Sequence, residues 1–436
     1  MNIESIYQLF SENHNITTDS RNIQRGSIYV ALCGERFDGN AFAAQAFEKG
    51  ALYAIIDKKE YYIDHRTILV ENTLEILQKL ANFHRRKLGI PIIAITGTNG
   101  KTTTKELIRS VLLQQYSVCA TQGNLNNHIG VPLTLLSMNS DTKIGVVEMG
   151  ANHPKEIEQL CQIAEPNYGL ITNIGKAHLE GFGGFQGVIK AKKELYDFLI
   201  DKGGTIFYNS DNGILSNLLH NTNVNSVSYG LNSGNYCRGR IMAVDPYLGI
   251  NIKTVSGENE IENIQVKTQM VGEYNVENIL AAFSVGLYFN IPLQKIQKAI
   301  EQYIPINHRS QLTNTEKNRL LLDYYNANPS STEAAIINFL KLKGQHKVIV
   351  LGDMLELGEE SEAEHTRILK ILKDLKGIEV LLVGKYYKAL ATFYGFKAFL
   401  SFEELNAWLS DNPIDQSFIL IKGSRGIQLE KIIEKL

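Results

Sequence analysis

IPIIAITGTNGKTTTKELIRSVLL, residues 90–113, changes rhythm in its middle. The run Ile90 to Ile95 is short and β-branched, the composition of a buried strand. Beyond the break, Leu107, Ile108, Val111 and Leu112 recur with the period of an amphipathic helix. Between them lies Gly97-Thr98-Asn99-Gly100-Lys101-Thr102-Thr103. A strand, a tight glycine loop and a helix opening on Lys-Thr form an anion site, because loop amides and the positive helix end converge on one point. Lys101 would reach the outer phosphates of a nucleotide, and the Thr102 hydroxyl would ligate Mg²⁺. The commonest phosphate-loop pattern has a glycine five residues before Gly100. This chain has Ile95 there and places Gly97 three residues before instead. A plain glycine turn is the bland alternative; the Gly-Lys-Thr-Thr run at a strand-to-helix junction favours nucleotide binding.

The 436 residues suggest about three domains. Hydrophobic content of 44% and charged content of 21% describe an ordinary globular protein. A net charge of −2 gives no electrostatic reason to expect nucleic acid or an anionic membrane. No apolar run approaches the roughly 18 residues of a membrane span, and the start of the chain has no basic leader. The four cysteines lack Cys-x-x-Cys spacing, so neither a zinc site nor a disulfide framework is expected. The expectation is a cytoplasmic protein.

An α/β class with three units in line follows from the order of patterns. Residues 1–86 alternate short strands and helices, with Ser27–Leu32 strand-like and Gly34 through Gly39 polar and glycine-flanked, as a binding loop would be. Residues 87–307 hold the phosphate loop and the strands Ile144–Glu148 and Gly169–Asn173, each running into polar residues where a parallel sheet collects ligands. From Gly203 to Met270 the pattern is short and strand-rich, expected as an antiparallel extension. In residues 308–436 the βα rhythm restarts, with strands at Arg319–Asp323, Lys347–Gly352 and Glu379–Gly384. Ser330-x-x-Glu333 suggests a capping box on the first helix of that region.

Several strand ends could carry chemistry. Glu148 would bring a carboxylate to the phosphate loop, which suits Mg²⁺; a solvated strand-end glutamate is the alternative. His178 follows a similar strand, although a lone histidine is more often an ordinary hydrogen-bonded residue. Lys192 is more informative. On a helix, Val188, Ala191, Leu195, Phe198 and Leu199 share one apolar face, and Lys192 falls on it while Lys190 and Lys193 point away. A lysine there must snorkel, pair or lose its charge, and a chemically altered lysine near the metal remains open beside the snorkelling stem. Asn275 and Asn278 open a further helix, where Asn278 could meet a nucleobase or simply begin the helix. Arg309 stands at the junction with the third region, and Asp323, Asn326 and Asn328 follow a strand end.

Taken together, DSRNIQRGSIYVALCGERFDGN, TGTNGKTTTKE, GNLNNHIGVPLTLL, VVEMGANHPKEI, TNIGKAHLEGFG, AKKELY, NVENILAA, YNANPSS, LGDMLELGEESEAEH and KGSRG resemble the Mur ligases, ATP-dependent amide-forming enzymes of peptidoglycan precursor synthesis. The phosphate loop is shared with folylpolyglutamate synthetases, whereas GNLNNHIGVPLTLL, YNANP and LGDMLELG point to the dipeptide-adding branch. The resemblance implies a three-domain Mur ligase architecture: a UDP-substrate domain, a central P-loop ATPase domain and a Rossmann-like C-terminal domain for the amine. It implies UDP-N-acetylmuramoyl-tripeptide and D-alanyl-D-alanine as substrates of a monomer that needs no nucleic acid or membrane.

Residue by residue, the loop Gly97, Thr98, Asn99, Gly100, Lys101, Thr102 and Thr103 matches phosphate binders. Asn278, Arg309 and Asp323 match ATP contacts. Thr102 and Glu148 match ligands of one Mg²⁺, and His178 and a carbamylated Lys192 match ligands of a second. Lys101, Lys192, His178 and Arg309 are the implied catalytic group. Ser20, Arg21, Asp38, Asn126, Asn127, Asn326 and Asn328 are the implied substrate contacts. The chain departs from the branch in two places: Leu322 precedes Asp323 where an acidic pair is common, and His128 stands where an acid is common. The Asp-Asn-Pro-Arg motif of the branch adding meso-diaminopimelate or lysine is absent, since Ser330 follows Pro329. Rivals are another amide ligase of this kind, or a P-loop NTPase switch.

Overall fold

The computed structural model describes residues 1–436 except Met1, His14, Arg36, Gly257, Glu258 and Asn307, and the side chains of 255–262 are likewise outside the described set. Met1 and Asn307, ends of two expected regions, and Arg36 in the expected Gly34–Gly39 loop are thus outside the described residues.

Among the described residues the chain builds three main sheets in chain order. The first is parallel, with strands Ile16–Thr17, Ile28–Val30, Tyr53–Ile56 and Thr67–Leu69 side by side. The central sheet begins at Val118–Ala120 and continues through Ile144–Glu148, Ile92–Thr96, Tyr168–Ile171, Thr205–Asn209 and Asn225–Gly230 to Cys237–Ala243, every neighbour parallel. Gly249–Ser256 and Asn259–Lys267 then add antiparallel strands at the far edge. The antiparallel extension expected from Gly203 onward therefore starts only at Cys237. The helix Gly213–Leu219 lies between Thr205–Asn209 and Asn225–Gly230, and such a crossover makes a parallel pair. The third sheet runs Gln311–Asn314, Arg319–Asp323, Phe418–Lys422, Lys347–Gly352, Glu379–Val383, Lys397–Phe399, parallel apart from its first pair.

Burial on both faces explains why the central strands read as unbroken apolar runs. All five residues of Ile92–Thr96 and all five of Ile144–Glu148 are buried. The register sets Ile95 beside Glu148 on one side and Leu170 on the other, so the carboxyl ends of three strands are level. Phe185–Lys202 packs its face of Val188, Ala191, Leu195 and Leu199 into the core. Each of the larger side chains removed from water, Val188, Leu195 and Leu199, contributes ~1.5–3 kcal/mol. Lys192, on the same face, is 3% exposed.

The helix Thr73–Leu88 runs across the expected 86/87 boundary. Asn72 caps it by accepting from the Glu75 amide, and Gly89 ends it with φ 62°, a left-handed conformation that glycine adopts without a Cβ clash. Its polar residues fasten it to the central region: Arg85 Nε donates to Ala164 O at 2.9 Å and Asn82 Nδ2 to Ile163 O at 2.9 Å. The Pro329–Lys341 helix also differs from its expected cap. Asn328, not Ser330, is the N-cap, its side chain accepting from the Ser331 amide while Ser331 returns the bond, with Pro329 at the first helical position. The proline places the boundary, because it has no amide to donate and suits the first turn.

Glu277 gives a stability test near this frame. Burial, then the Asp211 carboxylate, push its carboxyl up to about 7 from 4.5. Between those values the folded chain holds a proton that the unfolded chain has released, so stability falls as pH rises from about 4.5 to about 7. Glu277→Gln should raise the unfolding free energy at pH 8 by on the order of 2 kcal/mol and change it little near pH 4.5. Denaturant melts at both pH values check this, and an equal effect at both would remove the charge from the explanation.

Candidate active site

One cavity of about 640 Å³ lies where the carboxyl ends of the central strands face the third region. The whole loop from Gly97 to Thr103 lines it, together with Asn126, Asn127, Glu148, His178, Lys192, Asn278, Arg309, Asp323, Asn326 and Asn328. Residues separated by more than 200 positions thus share one space.

The loop's backbone needs its glycines. Gly97 has φ 142°, and a Cβ there would stand 2.0 Å from Thr172 Oγ1; Gly100 has φ 78°, and a Cβ would meet Asn278 Oδ1 at 2.6 Å. The neighbouring strand end clamps the loop from the side. Thr98 N donates to Asn173 O at 2.9 Å, Asn99 N to Asn173 Oδ1 at 3.0 Å, and Thr172 Oγ1 to Asn99 O at 2.6 Å. Lys101 Nζ folds back onto Gly97 O at 2.7 Å and Thr98 O at 3.0 Å, carbonyls it would leave for a phosphate. Burial lowers the Lys101 amine to about 8. Asn278 lines the cavity with its amide engaged on both sides: it accepts from Thr104 Oγ1 at 2.9 Å and donates to Asn275 Oδ1 at 2.9 Å, bracing the helix that begins at Lys101.

Two groups here lack partners. Glu148 is 2% exposed; its Oε1 accepts from Asn126 Nδ2 at 2.8 Å, while Oε2 has no hydrogen-bond partner among the described residues. A buried carboxylate oxygen left this way suits a hard cation. Arg309 lays its guanidinium over the Tyr325 ring, 3.8 Å from the centroid, and its buried Nε is also unpartnered among the described residues. Lys192 sits 5.4 Å from the Phe182 ring centroid. Burial first, then Lys101, lower its amine to about 7. His178 Nδ1 lies 2.6 Å from Glu356 Oε2.

The third region reaches the loop directly. Asn328 Nδ2 donates to Asn99 Oδ1 at 2.8 Å, and Lys176 N donates to Ser330 Oγ at 3.1 Å. Asp323 Oδ1 accepts from Ser310 N at 3.2 Å, and its Oδ2 from Lys422 Nζ at 2.8 Å. Asn326 Oδ1 accepts from the Ala327 amide at 2.9 Å, and Asn127 Oδ1 from the Gly130 amide at 2.9 Å. Lys422 and Tyr325 were not singled out from the sequence, although the strand-end stretch LIKGSRG contains Lys422.

Ser20, Arg21 and Asp38 lie apart from this cavity, on the first region. Ser20 is buried and its carbonyl accepts from Lys49 Nζ at 2.8 Å. Arg21 is exposed and forks onto Asp19, with both contacts at 2.9 Å. Asp38 accepts from Asn40 N at 3.0 Å and pairs with Lys58 Nζ at 2.7 Å, which holds its carboxyl well below the usual carboxylate range.

Comparison with known proteins places this arrangement. The Mur ligase middle domain matches residues 95–286, the domain described as "Mur ligase, glutamate ligase domain" matches 308–425, and the "Mur ligase family, catalytic domain" matches 12–85. The UDP-N-acetylmuramoyl-tripeptide--D-alanyl-D-alanine ligase of Bacillus subtilis is 34% identical, over 97% of this chain and 93% of its own. The Escherichia coli protein of the same name is 33% identical, also over 97% and 93%. A crystal structure of MurF from Acinetobacter baumannii superposes with a TM-score of 0.86 at 30% identity, covering 98% of this chain and 97% of the other. MurF from Thermotoga maritima, solved in complex with ADP, shares the fold with a TM-score of 0.84 at 24% identity and 97% coverage of both chains. The chain belongs to the Mur ligase family, with the three-domain α/β architecture of that family. It is an ATP-dependent ligase.

Proposed function

We propose that the chain joins D-alanyl-D-alanine to UDP-N-acetylmuramoyl-tripeptide in peptidoglycan precursor synthesis, through an acyl phosphate. ATP phosphorylates the terminal peptide carboxylate, giving the acyl phosphate and ADP; the amine of the dipeptide attacks the acyl carbon, and phosphate leaves. The observation that carries this is the single cavity in which the phosphate loop meets Asn328 of the third region, with Asn328 Nδ2 2.8 Å from Asn99 Oδ1. A mixed anhydride made beside the amine site is used before water reaches it.

The placements support the following roles. Loop amides from Gly97 to Thr103 cradle the phosphates, Lys101 and Arg309 meet the charge that builds when a carboxylate attacks a polyphosphate, and Asn278 and Asp323 fix the surroundings of the nucleotide. Asn126, Asn127, Asn326 and Asn328 lie where the reacting carboxylate and the amine would come together. Ser20, Arg21 and Asp38 sit on the first region, which suits the UDP end of an extended substrate. We divide the chain accordingly into a UDP-substrate domain (1–86), an ATP domain (87–307) and an amine domain (308–436). ATP and a UDP-linked precursor are cytoplasmic metabolites, and we read the enzyme as a cytoplasmic monomer. Among the described residues no helix is long and apolar enough to cross a membrane.

The cavity's oxygen and nitrogen donors suit Mg²⁺, and we assign them to two ions. Thr102 and the unpartnered Glu148 Oε2 would hold one, and His178 with Lys192 the other. Among the described residues no three His, Cys, Asp or Glu side chains gather as a cage, so a further oxygen donor is needed. Lys192 supplies it if its neutral amine adds CO₂ and loses a proton, giving a carbamate on a side chain that faces the cavity. The low amine value supports that chemistry, because only the neutral form is a nucleophile. When bound, the ions neutralise the approach of anion to anion.

Substrate whose reacting carboxylate carries ¹⁸O should transfer one label into each released phosphate, with release dependent on D-alanyl-D-alanine. Unlabelled phosphate would mean direct hydrolysis of ATP, the chemistry of a nucleotide-driven switch.

A further inference from the structure

We infer that Glu356 is a positioning residue for His178, reaching from the third region to fix the imidazole so that its other nitrogen is presented to the cavity. The inference rests on the reading of His178 as a metal ligand. A carboxylate only accepts, so the 2.6 Å contact between Glu356 Oε2 and His178 Nδ1 favours a proton on Nδ1, and a ring that binds a metal must be neutral. Nε2 then keeps its lone pair, on a residue that lines the cavity. A carboxylate behind a metal-binding histidine is a general way to orient the ring and raise its basicity.

Both ends of the contact are held in advance. His178 has φ 51° and stands as the N-cap of the short helix Leu179–Phe182; Glu356 has φ 66°. Left-handed conformations at non-glycine residues are costly and persist only where the surroundings hold them. The loop bearing Glu356 is held by three anchors. Asp353 accepts from the Tyr386 and Tyr387 amides, both at 2.9 Å. Met354 N donates to His365 Nε2 at 3.0 Å, and Leu355 N to Ser424 Oγ at 3.0 Å. Gly358 lets the loop settle on the short helix, since a Cβ there would stand 2.9 Å from Glu180 Cβ. Lys176 Nζ and Glu364 Oε1, 2.6 Å apart, clamp the same junction. The orientation of a ligand in the ATP domain therefore depends on docking of the amine domain, which ties metal binding to arrival of the second substrate's domain.

Glu356 is 59% exposed, so replacing it leaves the core alone. The test uses the full chain with a non-hydrolysable ATP analogue and UDP-N-acetylmuramoyl-tripeptide, titrated with Mn²⁺ and followed by electron paramagnetic resonance. Histidine ¹⁵N shifts report the His178 tautomer in the same complex before metal is added. Glu356→Ala should weaken the second Mn²⁺ by 10–100-fold and mix the tautomers. Glu356→Gln, whose amide oxygen still accepts from Nδ1–H, should recover most of both. His178→Ala serves as the reference: if it loses no metal, the ligand reading itself fails. If it loses one while Glu356→Ala keeps wild-type affinity, or if wild-type His178 carries its proton on Nε2, the positioning role is overturned and the ligand reading stands.

Discussion

Lys192→Ala lowers the ligation rate by about 10³-fold and leaves binding of an ATP analogue within a few-fold of wild type. That is the expected result if a carbamate on Lys192 completes the second metal site, since removing one preorganised charged group from such a centre costs on the order of 10²–10³ in rate. The phosphate loop is built by Gly97–Thr103 and its clamp at Thr172 and Asn173, none of which needs Lys192 for its hydrogen bonds. Nucleotide affinity therefore separates from chemistry. The alanine variant also leaves a gap where a carboxylate belongs, 3% exposed in the parent and bordered by the Phe182 ring. Formate or acetate in excess should enter it and restore part of the rate. Lys192→Arg, which keeps a cation and cannot form the carbamate, should stay inactive and gain less from added carboxylate. Wild-type turnover in Lys192→Ala would sink the carbamate.

The inward place of Lys192 was within reach of the sequence because it depends on local periodicity, whereas the carbamate was implied only by the family resemblance. The 3.6-residue rhythm from Val188 to Leu199 places Lys192 on the inward face whatever packs against it, and the helix Phe185–Lys202 carries it there. The phosphate loop was legible for the same reason: strand, glycines and helix are contiguous. Contacts across the chain were not. Asn99 meets Asn328 and His178 meets Glu356 only because two separate sheets present their carboxyl ends to one space, and no spacing rule connects positions so far apart. Asn278 shows a subtler limit. Its helix-start position was clear, yet whether its amide faced a ligand or the neighbouring helix depended on Thr104, which lies in another element. The parallel pairing of Thr205–Asn209 with Asn225–Gly230 was hidden because the helix between them is only seven residues long. Short helices give a weak periodic signal.

The choice of amine should be equally sharp. D-alanyl-D-alanine should support phosphate release with UDP-N-acetylmuramoyl-tripeptide, and lysine, meso-diaminopimelate and glutamate should each fall at least about 10³-fold below it in kcat/KM. The reason lies in how the turn after Asp323 uses its polar groups. Asn328 spends its side chain on the Ser331 amide and on Asn99, and Ser330 Oγ accepts from Lys176 N. Of the nearby cations, Lys422 is bound to Asp323 Oδ2 at 2.8 Å and Asn326 O at 3.2 Å, while Arg309, stacked on Tyr325, keeps an Nε unpartnered among the described residues for the phosphate charge assigned to it above. Position 330, where an arginine would receive a side-chain carboxylate, is serine. A substrate with a methyl side chain asks nothing of these groups, and its C-terminal carboxylate can be met by backbone amides. A glutamate carboxylate or a diamino acid's second amine would arrive desolvated without a partner, the kind of mismatch that discriminates by orders of magnitude where a missing methylene does not. The measurement is phosphate release with each amine in turn, with the product identified by mass. Preference for glutamate or a diamino acid would move the chain to another branch of the family, and Ser330→Arg is the variant that should begin to admit glutamate or meso-diaminopimelate, which carry a side-chain carboxylate, but not lysine, if the turn is what excludes them.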